Sequence, residues 1–244
     1  MVRGSGMAIL EGIGRGRLGN LFGMGLGAEL LYSFVIIMIC LMIYYGTKEL
    51  YDLSSYKGIK YFRRAFLFFG VAYFFRSFIK FAVLYFDLNN LVDFPETTFK
   101  FIGAIIQFLF IYFSSMAIFY LLYSVISKKL EGKSNKILIF HLIALILALI
   151  SILTRNYLVY LGLNLLLLAI IGVVVYISYQ NKIKKARRNN LYVIYILWSI
   201  FWVLNIIDAL IPRFFMGFQL VIYLASTSVF LLILYKVLKN VGSS

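Results

Sequence analysis

The sequence has few of the residues that build metal sites, disulfides and acidic active sites. It contains one cysteine (Cys40), one histidine (His141) and only nine Asp or Glu among 244 residues. One cysteine excludes an internal disulfide, and this set of side chains cannot assemble the Cys₄, Cys₂His₂ or His₃ sites that bind zinc. We therefore expect no metal and no cofactor. His141 lies four residues into the predicted fourth span and is expected to be an interfacial or hydrogen-bonded residue rather than a proton relay.

Charged residues are also scarce, at 14% of the chain, whereas 63% of the residues are hydrophobic and the mean hydropathy is +0.95. A soluble domain is about half apolar and about a quarter charged. A chain of this length cannot bury so much apolar surface in one water-soluble core. The composition therefore excludes both a soluble globular domain and a disordered chain.

Seven apolar runs are long enough to cross a bilayer. A hydrocarbon core of ~30 Å needs roughly 20 residues of helix, and none of the runs has the two-residue alternation of a membrane β-barrel. The sequence thus predicts an all-α polytopic membrane protein, a bundle of seven transmembrane helices over 28–244. The predicted spans are 28–46, 63–86, 99–126, 137–153, 157–179, 191–211 and 218–238.

The net charge of +15 comes from 24 Lys and Arg, and 16 of these lie on one side of the predicted bundle. They fall in the 47–64, 127–136 and 180–190 connections and in the C-terminal tail, whereas the 87–98 connection is acidic. The positive-inside rule places the N-terminus outside and the C-terminus inside. We expect a multi-pass protein of the cell membrane whose inner basic connections attract anionic lipids, and no nucleic acid partner.

Residues 1–27 form a separate Gly-rich segment with nine glycines. Met1–Gly6 is compatible with an added tag, which makes Met7 a candidate native start. The GRGRLG stretch at 14–19 fits a nucleotide-binding pattern only by spacing, because no strand precedes it. Gly19, Gly23 and Gly27 make either a helix-packing face or part of a lead-in at the outer interface.

Ionisable side chains inside predicted spans are costly and mark functional sites by default. Arg76 lies 13 residues after Arg63, roughly 20 Å along the second span, and Lys80 is one turn further on the same helix face. Asn205 and Asp208 share a face near the outer end of the sixth span, which runs in the same direction.

Two further polar residues, Gln107 and Asn164, are predicted at the same depth in the third and fifth spans. The sequence therefore predicts a polar pocket reached from outside that binds a small polar or anionic ligand. Its predicted lining is Arg76, Lys80, Gln107, Asn164, Asn205 and Asp208. The alternative is purely structural: an Arg76–Asp208 ion pair, amides that hydrogen-bond between helices, and a Lys80 that reaches the outer headgroups.

The reactive and polar residues within the predicted spans distinguish between the possible classes of function. Asp208 is the only acid deep in a span, and the sequence has no H-E-x-x-H motif, so we expect no enzyme. The stretch Leu197–Ser199 with Trp202 resembles the sixth helix of microbial rhodopsins, but the last span has no lysine at its midpoint to bind retinal. Three classes stay open: a receptor or sensor, a transporter built as three-plus-one-plus-three helices, and an accessory subunit of a membrane complex.

Residues 57–76 (KGIKYFRRAFLFFGVAYFFR) are similar to the basic loop and aromatic second helix of prokaryotic seven-transmembrane sensor modules. In that family the module is commonly fused to an inner kinase or cyclase domain and senses signals at the membrane. The last predicted span is followed here by only six residues. The resemblance therefore implies a sensor that signals to a separate membrane or cytoplasmic protein partner.

Overall fold

A computed structural model describes residues 27–89, 96–127, 136–154, 156–185, 191–210 and 216–241, and these ranges are almost entirely helical. The described helices are α1 (27–46), α2 (Lys48–Ser54), α3 (Lys57–Asn89), α4 (Glu96–Ile126), α5 (Lys136–Thr154), α6 (Tyr157–Lys185), α7 (Leu191–Leu210) and α8 (Met216–Val241). Six of the seven predicted spans fall within one long helix each, and the described residues 191–210 of the other span form α7. The all-α prediction is confirmed.

Six segments of the described chain are long and apolar enough to cross a membrane, so the protein is a polytopic helical membrane protein. They are Gly27–Ser54, Phe101–Ile126, Ile137–Thr154, Tyr157–Asn181, Leu191–Leu210 and Gly217–Lys239. The second predicted span lies in α3, which is not among the six. Basic residues at the start of α3, together with Arg76, interrupt its described apolar stretch.

The connection predicted at 47–64 is mostly helical. It contains the short helix α2 and the first two turns of α3, so α3 begins six residues before the predicted span. Ser55 separates the two helices in a left-handed conformation, with φ of 49°, and its N–H donates to the Tyr51 carbonyl at 2.8 Å. A single left-handed residue at a C-cap ends a helix in this way.

Helix α3 packs against several others. It lies along α4, and it approaches α1 so closely that a Cβ on Gly70 would be 3.2 Å from Cys40 Cβ. On another face, the rings of Phe66 and Phe69 contact Trp198 of α7 with centroids 4.7 and 5.1 Å apart. These aromatic side chains are fully buried and form the centre of the core.

Helices α5 and α6 present mostly exposed apolar side chains, which in a membrane protein contact lipid. Several predictions fall outside the described residues: the Gly-rich segment up to residue 26, the prolines, and most basic residues of the 127–136 and 180–190 connections. The described basic residues near the predicted inner ends include Arg63, whose Nε donates to the Tyr44 carbonyl at 3.0 Å.

Candidate functional site

Arg76 is the centre of a polar network between three helices. Its Nη2 lies 2.7 Å from Asp208 Oδ2 of α7 and 3.4 Å from Glu29 Oε1 of α1. Its Nη1 donates to Asn205 Oδ1 at 3.1 Å. The side chains of Arg76, Glu29 and Asp208 are only 18%, 10% and 9% exposed, so the charges are largely enclosed.

Two tyrosines extend this network. Tyr73 donates its hydroxyl proton to Asn205 Oδ1 at 2.6 Å, and its hydroxyl lies 3.1 Å from that of Tyr32. Since a tyrosine has one hydroxyl proton and Tyr73 gives its own to Asn205, Tyr32 donates to Tyr73. We call Glu29, Tyr32, Tyr73, Arg76, Asn205 and Asp208 the Arg76 network.

Aromatic rings of α3, α4 and α8 lie beside the Arg76 network. The guanidinium lies 5.5 Å from the centroid of the Tyr73 ring and 6.0 Å from that of Phe110 in α4. Tyr32 stacks on Tyr223 of α8, with ring centroids 4.7 Å apart. Aromatic faces favour cations, so these rings further stabilise the charged guanidinium.

Helices α3 and α7 meet at the Arg76 network with one fixed offset. Tyr73 forms a hydrogen bond with Asn205, and Arg76 forms one with Asp208. In each pair the residue of α7 lies 132 positions after the residue of α3 in the sequence. Phe66–Trp198 and Phe69–Phe201 keep the same offset. A constant offset arises only between helices that run in the same direction, which agrees with the direction predicted for the second and sixth spans.

Only one of the two carboxylate oxygens of Asp208 accepts a hydrogen bond among the described residues. Its Oδ2 accepts from Arg76, whereas Oδ1 is buried and has no hydrogen-bond partner among the residues that the structure describes. A buried acceptor without a donor costs about 1–3 kcal/mol, and more when it is charged. Asp208 Oδ1 is therefore an atom of the network that can accept a hydrogen bond from one further donor group.

The structure brings together three of the six predicted site residues: Arg76, Asn205 and Asp208. Asn164 lies in α6, where its backbone carbonyl accepts from Trp202 Nε1 at 3.1 Å and its Nδ2 donates to the Tyr160 carbonyl at 2.9 Å. Lys80 follows Arg76 by one turn of α3, but its side chain is outside the described part of the chain.

Gln107 bonds elsewhere. Its Nε2 donates to Ser151 Oγ at 3.1 Å and joins α4 to α5. This hydrogen bond corresponds to the structural role that the sequence left open for Gln107.

Both ring nitrogens of His141 form hydrogen bonds with tyrosines of α4, Nδ1 with Tyr112 at 2.7 Å and Nε2 with Tyr120 at 3.3 Å. The prediction of a hydrogen-bonded His141 is confirmed.

We expect a small, measurable coupling between Gln107 and Ser151. In a double-mutant cycle of Gln107→Leu and Ser151→Ala, the interaction energy should be about 0.6 kcal/mol, which is typical of hydrogen bonds between membrane helices. The measurement is the free energy of unfolding in mixed detergent micelles. The control cycle pairs Gln107→Leu with Ser228→Ala, because the Ser228 hydroxyl donates to a carbonyl of its own helix. Equal interaction energies in the two cycles would contradict the prediction.

Three residues of the Arg76 network were not among the predicted site residues. They are Glu29, which opens the first predicted span, and the tyrosines Tyr32 and Tyr73. Helical spacing was the available signal: Tyr73 precedes Arg76 by three residues and Tyr32 follows Glu29 by three, so each pair shares a face.

Comparison with known proteins identifies a relative but no described activity. No family model and no solved structure matches the chain. An uncharacterized protein of Archaeoglobus fulgidus is 36% identical over 219 residues, which cover 88% of this chain and 93% of that protein. An identity of this size over nearly the whole of both proteins shows common descent. The chain belongs to the same family as this Archaeoglobus fulgidus protein.

Proposed function

We propose that this protein is a non-enzymatic, receptor- or sensor-like membrane protein that binds a small polar ligand at the Arg76 network. The observation that supports the proposal most directly is Asp208 Oδ1, a buried acceptor left without a donor in the described structure. A ligand that donates to this oxygen would complete the network. Because α1, α3 and α7 each contribute to it, binding would change how these helices hold together.

The arrangement disfavours an anion, although the sequence allowed one. Arg76 already contacts two carboxylates, and its third polar contact is Asn205. An incoming anion would have to displace one carboxylate from the guanidinium and leave it buried without its partner, at a cost of several kcal/mol, on the order of 3–5. The network therefore fits a neutral or cationic donor better.

A thermal-shift screen of the full chain in detergent tests ligand binding. The probes are small neutral polyols, amines and carboxylic acids, added one at a time. A saturable rise in melting temperature that Asp208→Asn abolishes and Gln107→Leu retains supports the proposal, since Gln107 lies outside the network. Tyr73→Phe, which removes one hydroxyl, is a milder second variant. A screen without any saturable shift contradicts the proposal.

We also propose seven spans, with α3 crossing the membrane and the N-terminus outside. The support is that α3 is 33 residues long and contacts α1, α4 and α7. In a Cys40→Ala background, single cysteines replace the exposed residues Asp52 and Asn156. We expect membrane-impermeant thiol reagents to label Asp52→Cys only from inside and Asn156→Cys only from outside. Labelling of both from one side would mean that α3 does not cross.

A transporter is the second candidate, favoured by the parallel contact between α3 and α7. These helices hold the equivalent, second position in the two three-helix units predicted over 28–126 and 157–238. Repeats related by an axis along the membrane normal place equivalent helices parallel. Uptake of the ligand found in the screen into proteoliposomes distinguishes the two: a receptor binds it without moving it, whereas a transporter accumulates it inside.

A further inference from the structure

Two pairs of described helices run in parallel across the bundle. Tyr32, near the start of α1, stacks on Tyr223, near the start of α8, with ring centroids 4.7 Å apart. At the other end of α1, a Cβ on Gly46 would lie 3.1 Å from Leu238 Cδ2, near the end of α8. Helices α1 and α8 therefore run in the same direction, as α3 and α7 do. A third contact of this kind joins α4 to α6.

These contacts divide six long helices into two three-helix units. We call α1, α3 and α4 the first unit, and α6, α7 and α8 the second unit, so that α1 corresponds to α6, α3 to α7 and α4 to α8. A twofold axis along the membrane normal would bring α3 against its own counterpart and would pair the α1–α8 contact with an α4–α6 contact. All three contacts are present. The boundary between the units, which we call the seam, therefore passes between α3 and α7.

One end of the seam is polar. Arg76 of the first unit lies 2.7 Å from Asp208 Oδ2 of the second unit, and Tyr73 donates to Asn205 Oδ1 at 2.6 Å. Hydrogen bonds weaken steeply when their distance or angle departs from the ideal. These contacts are therefore lost as soon as the two units separate at this end.

Further along, the seam is formed by aromatic rings. Phe66 of α3 and Trp198 of α7 are fully buried, with ring centroids 4.7 Å apart. Next along the same helices, Phe62 approaches Tyr195 at 6.3 Å, and the Tyr195 hydroxyl lies 3.1 Å from Ser124 Oγ of α4. The hydrophobic effect that favours ring burial is non-directional. The aromatic part of the seam therefore tolerates a small tilt that breaks the polar contacts.

The Arg76 network is closed to a ligand in this conformation. The side chains of Arg76 and Asp208 are 18% and 9% exposed, and Asp208 Oδ1 is buried. A ligand that donates to this oxygen must therefore enter through an opening. An opening along the seam separates Arg76 from Asp208 and leaves the packing inside each unit intact.

We propose that the Arg76–Asp208 ion pair is a latch at the polar end of the seam, and that the two units tilt apart at this end to admit a ligand. This inference rests on the ligand-binding function proposed above and adds the motion that regulates access to the site. Opening of rigid units about a contact that persists is a common way to admit ligands. Loss of the ion pair shifts the population toward the open arrangement, with or without a ligand.

Ser226 of α8 is the position for a reporter of this opening. Tyr223, Ser226 and Phe230 follow one another at steps of three and four residues and so share one face of the helix. Tyr223 contacts Tyr32 and Phe230 contacts Phe69, at centroid distances of 4.7 and 5.6 Å, so this face lies against the first unit. Ser226 is 1% exposed, and cysteine is close to serine in size. The thiol of Ser226→Cys is therefore buried while the seam is closed and reactive when it opens.

The test is the rate at which a bulky hydrophilic maleimide labels Ser226→Cys in a Cys40→Ala background. The full chain is labelled in detergent without any ligand. We expect Asp208→Asn to raise this rate at least tenfold, because it removes the charge that attracts Arg76. Size-exclusion chromatography checks that each variant folds. If Asp208→Asn does not fold, Tyr73→Phe replaces it, with a smaller increase expected.

The native Cys40 thiol controls for a general loosening of the fold. It is fully buried inside the first unit, where a Cβ on Gly70 would lie 3.2 Å from Cys40 Cβ. In the chain that keeps this cysteine as its single thiol, Asp208→Asn should leave the labelling rate unchanged. Gln107→Leu should change neither thiol's rate, since its hydrogen bond to Ser151 joins α4 to α5 and does not cross the seam.

The two thiols distinguish the latch from its alternatives. Faster labelling of Ser226→Cys with Cys40 unchanged supports the inference. Equal acceleration of both thiols would show general unfolding, and acceleration of neither would show a seam that does not open; each result overturns the inference. The ligand screen is a separate measurement. A screen without any shift, together with a seam that opens selectively, would contradict the proposed ligand binding while the latch stands.

Discussion

Replacing Arg76 with leucine should destabilise the bundle by about 3–5 kcal/mol, because it leaves the enclosed carboxylate of Asp208 without the cation that lies 2.7 Å from it. Glu29 and Asp208 have Arg76 as their shared ion-pair partner, at 3.4 and 2.7 Å. Asn205 would also lose one of the two donors to its Oδ1. The measurement is the free energy of unfolding in mixed micelles.

A double variant shows whether the loss of stability in Arg76→Leu comes from unbalanced charge. Arg76→Leu combined with Asp208→Leu should recover part of the stability, since replacing a buried pair by apolar side chains is often neutral. Lys48→Ala serves as the control, because Lys48 is exposed and its loss should change the stability by less than about 0.5 kcal/mol. A double variant less stable than Arg76→Leu alone would contradict this explanation.

Trp198→Ala should cost about 3–5 kcal/mol, the usual range for removing a large buried aromatic side chain. Trp198 is fully buried and contacts Phe66, Phe69 and Phe230 at centroid distances of 4.7, 5.1 and 6.0 Å. The cavity would open between α3, α7 and α8. Thermal unfolding of the purified variant measures the effect.

Phenylalanine at the same position should be much better tolerated. Trp198 Nε1 is buried and has no acceptor among the described residues, so Trp198→Phe loses volume but no hydrogen bond. Trp202 is the matched control, since its Nε1 donates to the Asn164 carbonyl at 3.1 Å. Trp202→Phe should cost about 0.5–1.5 kcal/mol more than Trp198→Phe. The reverse order would contradict the assignment of these two contacts.

The long helices could be predicted from the sequence because their apolar runs are continuous. The short helix α2 could not, because its seven residues are too few for a hydrophobic period and it lies among charges. Its end depends on Ser55, whose left-handed backbone has no signal as clear as a glycine.

The site was predictable in part, and the limit is helix rotation. Depth follows from counting residues along a span, so Arg76, Asn205 and Asp208 could be placed at one level. The rotation of each helix about its axis decides which way a side chain points. This rotation cannot be inferred from the sequence when nearly every neighbouring residue is apolar. Gln107 therefore bonds Ser151, outside the Arg76 network, although its depth suggested otherwise. Glu29 contacts Arg76 through the packing of α1 against α3, which no local pattern encodes.

The fixed offset between α3 and α7 has a consequence for how these two helices can move. The contacting positions on α3 are Phe66, Phe69, Tyr73 and Arg76, which follow one another at steps of three, four and three residues. This spacing places the four side chains along one stripe of α3, which faces α7. A slip of α3 along α7 by one turn, about 5.4 Å, would separate Arg76 from Asp208. The ion pair thus selects one discrete alignment of two helices whose aromatic rings alone would tolerate several.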